Sequence, residues 1–422
     1  LGNLGASLWN AAAIVAAVPL VGWLAHMLVR PLGAIFGAEG QLAAASIARS
    51  PTRAGVTAAA VALIIGAAIT LTSLSTSFRA SLDDYVARLL NGDLVVSAVS
   101  TEGGWLETPL PDGLGAELAA VPGVRRVEMM RVIPGQFFRG QRIGILALSD
   151  GLIAPERQPP LATGDPTTAP DEVRAGRGVY VSTTLADRFA VVLGDTLELD
   201  TPTGVLALPV VGTLPDYISD RGSVILARRL LVERWHEPMV SRLLLFLDPG
   251  TDIDGVQADI VARLAPRFRT KVQKLPELLA YHASVIGRAF QFTDTIQLLI
   301  VIVTIAGVFD LLLSSIAERR RELALWRLIG ADDRAVRRSI TIESGTIGTI
   351  GALLGIGLGY VTAWMWVAIN YRYLIGFHLQ YHFALAATVW FVILVLAVTA
   401  LAGYLASGTA MRDPITTGIQ AE

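Results

Sequence analysis

Five long apolar runs punctuate the chain, at residues 8–29, 54–74, 295–316, 340–369 and 383–405. Each has the length of a helix that crosses a bilayer, where about 20 apolar residues are needed. The first holds only Pro19 and His26 as interruptions, and a proline kinks a membrane helix without forbidding it. Between the second and third runs the texture changes. Residues 93–275 carry most of the prolines and short apolar segments. Leu94–Ser97, Ile143–Leu148, Gly178–Val181 and Val205–Val211 read as strands. Leu114–Ala120, Thr184–Phe189, Ala227–Trp235 and Gly255–Leu264 read as short helices. Strands and helices mixed at this density imply an α+β domain. A proline-rich loop near 150–175 (Pro159, Pro160, Pro166, Pro170) divides it into two expected subdomains.

Helical periodicity extends past the second run. Phe78, Leu82, Tyr85 and Leu89 fall at i, i+4, i+7 and i+11 among Arg79, Asp83, Asp84 and Arg88, one apolar stripe on a charged helix, as in a stalk. Ser50-Pro51 supplies an N-cap and a proline at the first helical position. Asn91-Gly92 predicts a left-handed cap at the far end. Residues 277–294 read as the returning stalk. The stretch 31–50, with Pro31, Gly33, Gly37 and Gly40, fits a weakly amphipathic surface helix or an ordered linker equally. The expected order is therefore a membrane helix (1–30), a connector (31–54), a membrane helix with stalk (55–92), the α+β domain (93–275), a stalk with membrane helix (276–317), an Arg-rich segment (318–339), two membrane helices (340–406) and a tail (407–422).

Charge sets the orientation. Residues 318–338 hold Arg319, Arg320, Arg321, Arg327, Arg334, Arg337 and Arg338; the 30–53 connection holds Arg30, Arg49 and Arg53; the 370–382 loop holds only Arg372. By the positive-inside rule the first two are cytoplasmic. The α+β domain and residue 1 are then external and the tail internal: an α-helical membrane protein with a large α+β extracytoplasmic domain inserted between transmembrane helices. Tyr360, Trp364, Trp366, Tyr371 and Tyr373 fit an aromatic belt. With 53% hydrophobic and 17% charged residues, the chain is too apolar for a soluble protein of 422 residues. A net charge of −2 gives no reason to expect nucleic acid. There is no cysteine, and neither lysine, Lys271 or Lys274, precedes Ser or Thr, so the sequence holds no P-loop.

The segment Glu318-Arg319-Arg320-Arg321-Glu322-Leu323-Ala324-Leu325-Trp326-Arg327-Leu328-Ile329-Gly330 is half basic and half apolar. Each arginine would cost roughly 2.5–3.5 kcal/mol at a bilayer centre, so it lies on a membrane surface or docks on a partner. Leu323, Trp326, Leu328 and Ile329 would anchor in a groove, with the arginines and Glu322 giving orientation and Gly330 capping the short helix. A plain basic loop on lipid headgroups is the alternative. Gly351, Gly355 and Gly359 make two G-x-x-x-G steps that let another helix approach, within the unit or across a dimer. Asp310 and Glu343 are acids inside membrane helices, candidates for a proton relay or for hydrogen-bonded structural roles. His378 and His382 have metal-ligand spacing for a helix, without a third ligand. Asp216, Asp220 and Arg221 around Tyr217 could form a ligand site or a polar turn. No catalytic constellation, metal site or cofactor motif emerges.

Three stretches carry a resemblance: Ala48-Arg49-Ser50-Pro51-Thr52-Arg53 before the second run; Glu318 to Gly330 with Ala331–Arg338 and Glu343; and Leu193-Gly194-Asp195-Thr196-Leu197 with Val210-Val211-Gly212. Their arrangement over residues 40–415 resembles the FtsX-like/MacB-like permeases of ABC transporters, with Asp310 departing from the neutral residue expected there. The resemblance implies a bacterial inner (cytoplasmic) membrane protein without a catalytic centre. A separate cytoplasmic ATPase dimer would dock on 318–330 and drive the external domain through the helices, an action called mechanotransmission, in export or extraction of a lipid, lipoprotein or peptide. Some relatives join two four-helix units through two extra helices. The first run would then be the last extra helix, and the chain the C-terminal half beside a second permease unit. Membrane lipid and an extracytoplasmic protein complete the partners implied. Two other readings stay open: a membrane scaffold controlling a cell-wall hydrolase or sensing an external ligand, and a proton-coupled transporter using Asp310 and Glu343.

Overall fold

A computed structural model describes residues 2–98, 108–158, 160–317, 331–374 and 376–412. It divides into two compact units, one of Leu1–Ser77, Phe290–Asn370 and Tyr381–Glu422, the other of Phe78–Ala289 with Tyr371–Gln380.

The first unit is helical. Its first helix, α1, runs from Gly2 to Arg49 and contains both Pro19 and Pro31. The expected break at residue 30 is absent; the kink comes at Gly37, where φ is +63°, a conformation open mainly to glycine. Beyond it the chain is helical rather than an ordered linker, and Ala43, Ala44 and Ile47 are buried, so this helix packs on protein. α2 (Pro51–Leu89) starts after Ser50, whose carbonyl accepts from the amide of Ala54 at 3.1 Å. α8 (Leu275–Ala317) belongs to this unit from Phe290 on, joined by α9 (Asp333–Met365), which continues through a π-helical turn at Trp366–Asn370, and by α11 (Leu385–Arg412). Among the described residues, Pro51–Leu89, Asp333–Asn370 and Leu385–Gly408 are long and apolar enough to cross a membrane, and α8 contributes the shorter apolar stretch Thr295–Gly307. Val61, Ile65, Ile69, Ala352, Val395 and Ala402 form the centre of the bundle.

The second unit is built on a ten-stranded sheet, counted among the described residues. The strands are β1 (Leu94–Ala98), β2 (Val124–Phe138), β3 (Gln141–Leu148), β4 (Thr163–Gly164), β5 (Val179–Ser182), β6 (Thr196–Thr201), β7 (Gly204–Leu214), β8 (Ser223–Ala227), β9 (Arg242–Leu247) and β10 (Thr270–Lys274). Their order is β10-β1-β9-β2-β3-β8-β5-β7-β4, with β6 paired to β7. Only β3–β8 and β5–β7 are parallel among these pairs. The loop expected to separate two subdomains is present, holding a 3₁₀ turn, β4 and α4 (Ala169–Arg174). Strands from before and after it nevertheless share one sheet, because β8 inserts between β3 and β5.

The period of two assigns each face. Val95, Leu146, Ile225, Leu244 and Phe246 join one core with Tyr85, Val86 and Leu89 of α2 and Leu278 of α8. On the opposite face Leu94, Val96, Leu243 and Leu245 pack with α3 (Gly113–Ala119) and α7 (Ile253–Leu264). Ile143, Ile145, Val224 and Leu226 pack with α5 (Thr183–Phe189) and α6 (Arg228–Trp235). The stalk stripe is thus partly core, with Tyr85 and Leu89 at 2% and 3% exposure. Asn91-Gly92 does not form the expected left-handed cap, since neither residue has positive φ. Gly92 is small for another reason: a Cβ there would meet Leu244 Cβ and Leu245 O at 3.3 Å.

Candidate functional site

Arg319, Arg320, Arg321, Glu322, Leu323, Trp326, Arg327, Leu328 and Gly330 lie outside the described residues. Immediately after this segment Asp332 is extended, α9 begins at Asp333, and Arg334, Arg337 and Arg338 stand in its first two turns. An acidic residue at a helix N-terminus suits the dipole.

The glycines of α9 lie against α2 within the helical unit. A Cβ on Gly351 would meet Val61 Cβ at 2.8 Å and Ala58 O at 2.9 Å. On Gly355 it would meet Ile65 Cβ at 2.8 Å, and on Gly359 Ile69 Cβ at 2.8 Å. The glycines are four apart, and so are Val61, Ile65 and Ile69, giving one contact per turn of each helix. Thr70 Oγ1 donates to Gly66 O at 2.7 Å and approaches Gly359 O at 3.4 Å. Small residues also line the contact of α9 with α11, where a Cβ on Gly403 would strike Ser344 Oγ at 2.6 Å.

The two intramembrane acids sit in different settings. Asp310 is exposed on α8. Glu343 is buried on α9, and its Oε1 lies 3.6 Å from Arg53 Nη2 at the start of α2. The sequence places no base within the apolar run of either acid's own helix; the partner of Glu343 comes from another helix, which periodicity does not reveal.

The connection between α9 and α11 is more than the short external loop its sequence suggests. Residues 371–380 belong to the sheet unit. A single helical turn, α10 (Tyr371–Leu374), opens it. Arg372 pairs with Asp187 of α5, and Asp187 also receives His378 Nε2 at 3.0 Å. Thr184 Oγ1 donates to Gly376 O, and Gly376, at φ +88°, has no space for a side chain beside Asp220 O. Phe377 and Leu379 pack on the sheet core. His378 and His382 are not on a helix, so the metal-ligand geometry their spacing would need is not formed. Burial holds the His378 imidazole below its usual range despite the Asp187 carboxylate.

The chain beyond this loop is fastened to α2 by buried serines. Ser81 Oγ accepts from Gln380 N at 3.0 Å, Ser77 Oγ from His382 N at 2.9 Å, and Ser73 Oγ from Ala384 N at 3.4 Å. Ser77 also donates to His382 O at 3.2 Å. Four helical residues rise about 6.0 Å and two extended residues about 6.6 Å, so each turn of α2 meets every second amide. The signal is visible in the sequence as Ser73, Ser77 and Ser81 at intervals of four, but buried serines in an apolar helix more often bond to their own backbone.

Of the residues around Tyr217, Asp220 and Arg221 are exposed, while Asp216 is 1% exposed. Tyr85 Oη donates to Asp216 Oδ1 and Ser223 Oγ to Oδ2, with Ile218 N at 3.4 Å from Oδ2. Burial pushes this carboxyl up to about 6, against hydrogen bonds that favour the anion. Tyr217 stacks edge-on against Tyr85 at 5.2 Å and Phe377 at 5.5 Å, and its hydroxyl donates to His378 O at 2.8 Å. Asp216, Tyr217 and Tyr85 form a filled joint between α2, the sheet and the 371–380 loop rather than an open ligand site.

Residues 295–415 match the FtsX-like permease C-terminal family, and residues 54–263 the MacB-like periplasmic core domain. The ABC transporter permease protein Rv0987 of Mycobacterium tuberculosis is 26% identical over 371 residues, 87% of this chain and 43% of the relative. The macrolide export ATP-binding/permease protein MacB of Photorhabdus laumondii is 31% identical over 129 residues, 31% of this chain and 17% of the relative. The chain thus spans less than half the length of these relatives. The solved periplasmic region of MacB from Actinobacillus actinomycetemcomitans aligns with 49% of this chain and 95% of that structure, at 9% identity and a TM-score of 0.33, a score too low to carry an argument.

Proposed function

We propose that this chain is an ABC transporter permease of the MacB/FtsX type, as its two family matches and its relatives support, and that it transmits the ATP-driven motion of a separate cytoplasmic ATPase dimer to its external domain. The observation that supports this most is the continuity of α2. One unbroken helix of 39 residues, roughly 58 Å long at 1.5 Å per residue, packs through Val61, Ile65 and Ile69 on the α9 glycines and through Tyr85 and Leu89 in the sheet core. Residues of both units thus belong to this one helix. Leu275–Ala317 returns as a second continuous helix.

In this reading the Arg-rich segment is the docking element, with Leu323, Trp326 and Leu328 as anchors and Arg319, Arg320, Arg321 and Arg327 setting orientation. A second permease unit and membrane lipid would cover the apolar face of α8, where Phe292, Leu298 and Val303 are at least 60% exposed. The cargo class would be a lipid, lipoprotein or peptide. A proton relay has less support, because Glu343 is already met by Arg53. The test is ATP turnover by the reconstituted complex. Trp326→Ala or Leu323→Asp should abolish stimulation of the ATPase while the permease still inserts; normal stimulation in both would remove the docking role.

A further inference from the structure

The cytoplasmic end of the helical unit contains a basic recess. Residues 371–380 belong to the external unit, so the opposite ends of α9 and α11, near Asp333 and Arg412, are cytoplasmic. There a cavity of about 670 Å³ opens between the Gly37 kink of α1, the first turns of α9 and the end of α11. Arg334, Arg337 and Arg338 line one wall at i, i+3 and i+4, spacing that puts them on one helix face. Facing them is Glu39, whose Oε1 lies 3.8 Å from Arg338 Nη1. One carboxylate against three guanidinium groups leaves the recess positive.

Arg337 is held in place for binding. Its Cζ lies 4.1 Å from the centroid of the Tyr404 ring, and its Nη1 reaches Tyr404 Oη at 3.3 Å. Its Nε is buried without a hydrogen-bond partner among the described residues, an unmet donor that ordinarily costs about 1–3 kcal/mol. Stacking on Tyr404 fixes the plane of the fork. Beside Thr341, the rest of the lining includes the apolar Ile342, Ile35 and Phe36, the last two 70% and 46% exposed just before the kink.

We propose that this recess binds the phosphate of an anionic phospholipid from the inner leaflet, with the arginines of α9 on the headgroup and Ile35 and Phe36 beside the start of the acyl chains. Three observations select a lipid over a free anion. The site lies where membrane helices end, it is larger than phosphate needs, and its walls change from guanidinium to hydrocarbon within one pocket. Arginine forks suit a phosphodiester because they donate two parallel hydrogen bonds, and basic pockets between helices on the cytoplasmic side are where such headgroups gather. Since the recess joins α1, α9 and α11, a lipid seated there would also tie the residues after the Arg-rich segment to the kink in α1. Lipid binding here is independent of the docking role of residues 318–330.

The test uses the full chain in neutral detergent with short-chain phosphatidylglycerol, short-chain phosphatidylcholine and inorganic phosphate, each titrated and read by native mass spectrometry and by the shift in melting temperature. Phosphatidylglycerol should bind at least tenfold more tightly than phosphatidylcholine. Arg334→Gln and Arg338→Gln, both at exposed positions, should each weaken it roughly tenfold, while Arg263→Gln in the external domain changes nothing. Arg337→Gln should weaken it most; if that variant fails to fold, the two exposed ones decide. Equal binding of the two lipids, unchanged binding in Arg334→Gln and Arg338→Gln, or full stabilisation by inorganic phosphate alone would each overturn the proposal.

Discussion

In the external sheet Leu244 and Leu245 face opposite sides, and each fills a core with its whole side chain. Along α9, Gly351, Gly355 and Gly359 instead leave the space that a side chain would take to Val61, Ile65 and Ile69 of α2. The sheet resists loss of volume, and the helix seam resists gain of it. The reason is the surroundings of each. In water, a core is held by the apolar area it hides. In a bilayer, hydrocarbon surrounds every helix, so association rests on close van der Waals approach instead.

Opposite substitutions should therefore damage the two regions. The largest effect is expected from Leu244→Ala. Emptying a fully buried position in a central strand costs about 2–5 kcal/mol, read as a lower melting temperature of the external domain in the detergent-solubilised chain. Leu244→Met should be nearly silent. Next comes Gly355→Leu, where overpacking costs about 1–3 kcal/mol. Its readout is helix separation, measured as loss of a disulfide engineered between α2 and α9, with the external domain's melting temperature unchanged. If Gly355→Leu left that crosslink intact, the seam would not be set by backbone approach.

The smallest effect concerns Asp216. Its carboxyl is raised to about 6 when folded, from a usual 3.8. The folded state therefore prefers the neutral form. The stability this contributes is complete below about pH 4 and is lost as pH rises through 6. Taken alone, this group should lower the melting temperature of the external domain between about pH 4 and 7, and Asp216→Asn should remove that component. Identical pH profiles for the variant and the natural chain would show that the carboxyl titrates normally.

The same contrast explains which elements the sequence makes legible. β1, β3, β5 and β7 and the short helices α3, α5, α6 and α7 stand out as short apolar runs bounded by turn residues. β9 does not, because Leu243-Leu244-Leu245-Phe246-Leu247 is buried on both faces and shows no alternation. β2 is hidden by Pro134-Gly135, which coincides with the register shift between Ile133 and Gln136, a bulge where proline has no ladder bond to lose. In the helical unit glycine spacing marks the seam on α9 but does not name α2 as its partner. Pro31 suggests a helix break, whereas Gly37 provides it. The attachment of residues 371–380 to the sheet depends on Asp187, Thr184 and Tyr217, which are more than 150 positions away, and no local pattern announces it.

The serines of α2 have a mechanical consequence. Their rungs recur about every 6.0 Å along the helix and the amides they hold about every 6.6 Å along the extended chain, like the two scales of a vernier. A mismatch of about 0.6 Å per rung, the difference of those two rises, is absorbed over Ser73, Ser77 and Ser81, and the weakest of the three amide bonds, at 3.4 Å, falls at one end of the scale. Such a fastening resists gradual sliding: halfway between registers every serine faces a residue whose amide points away.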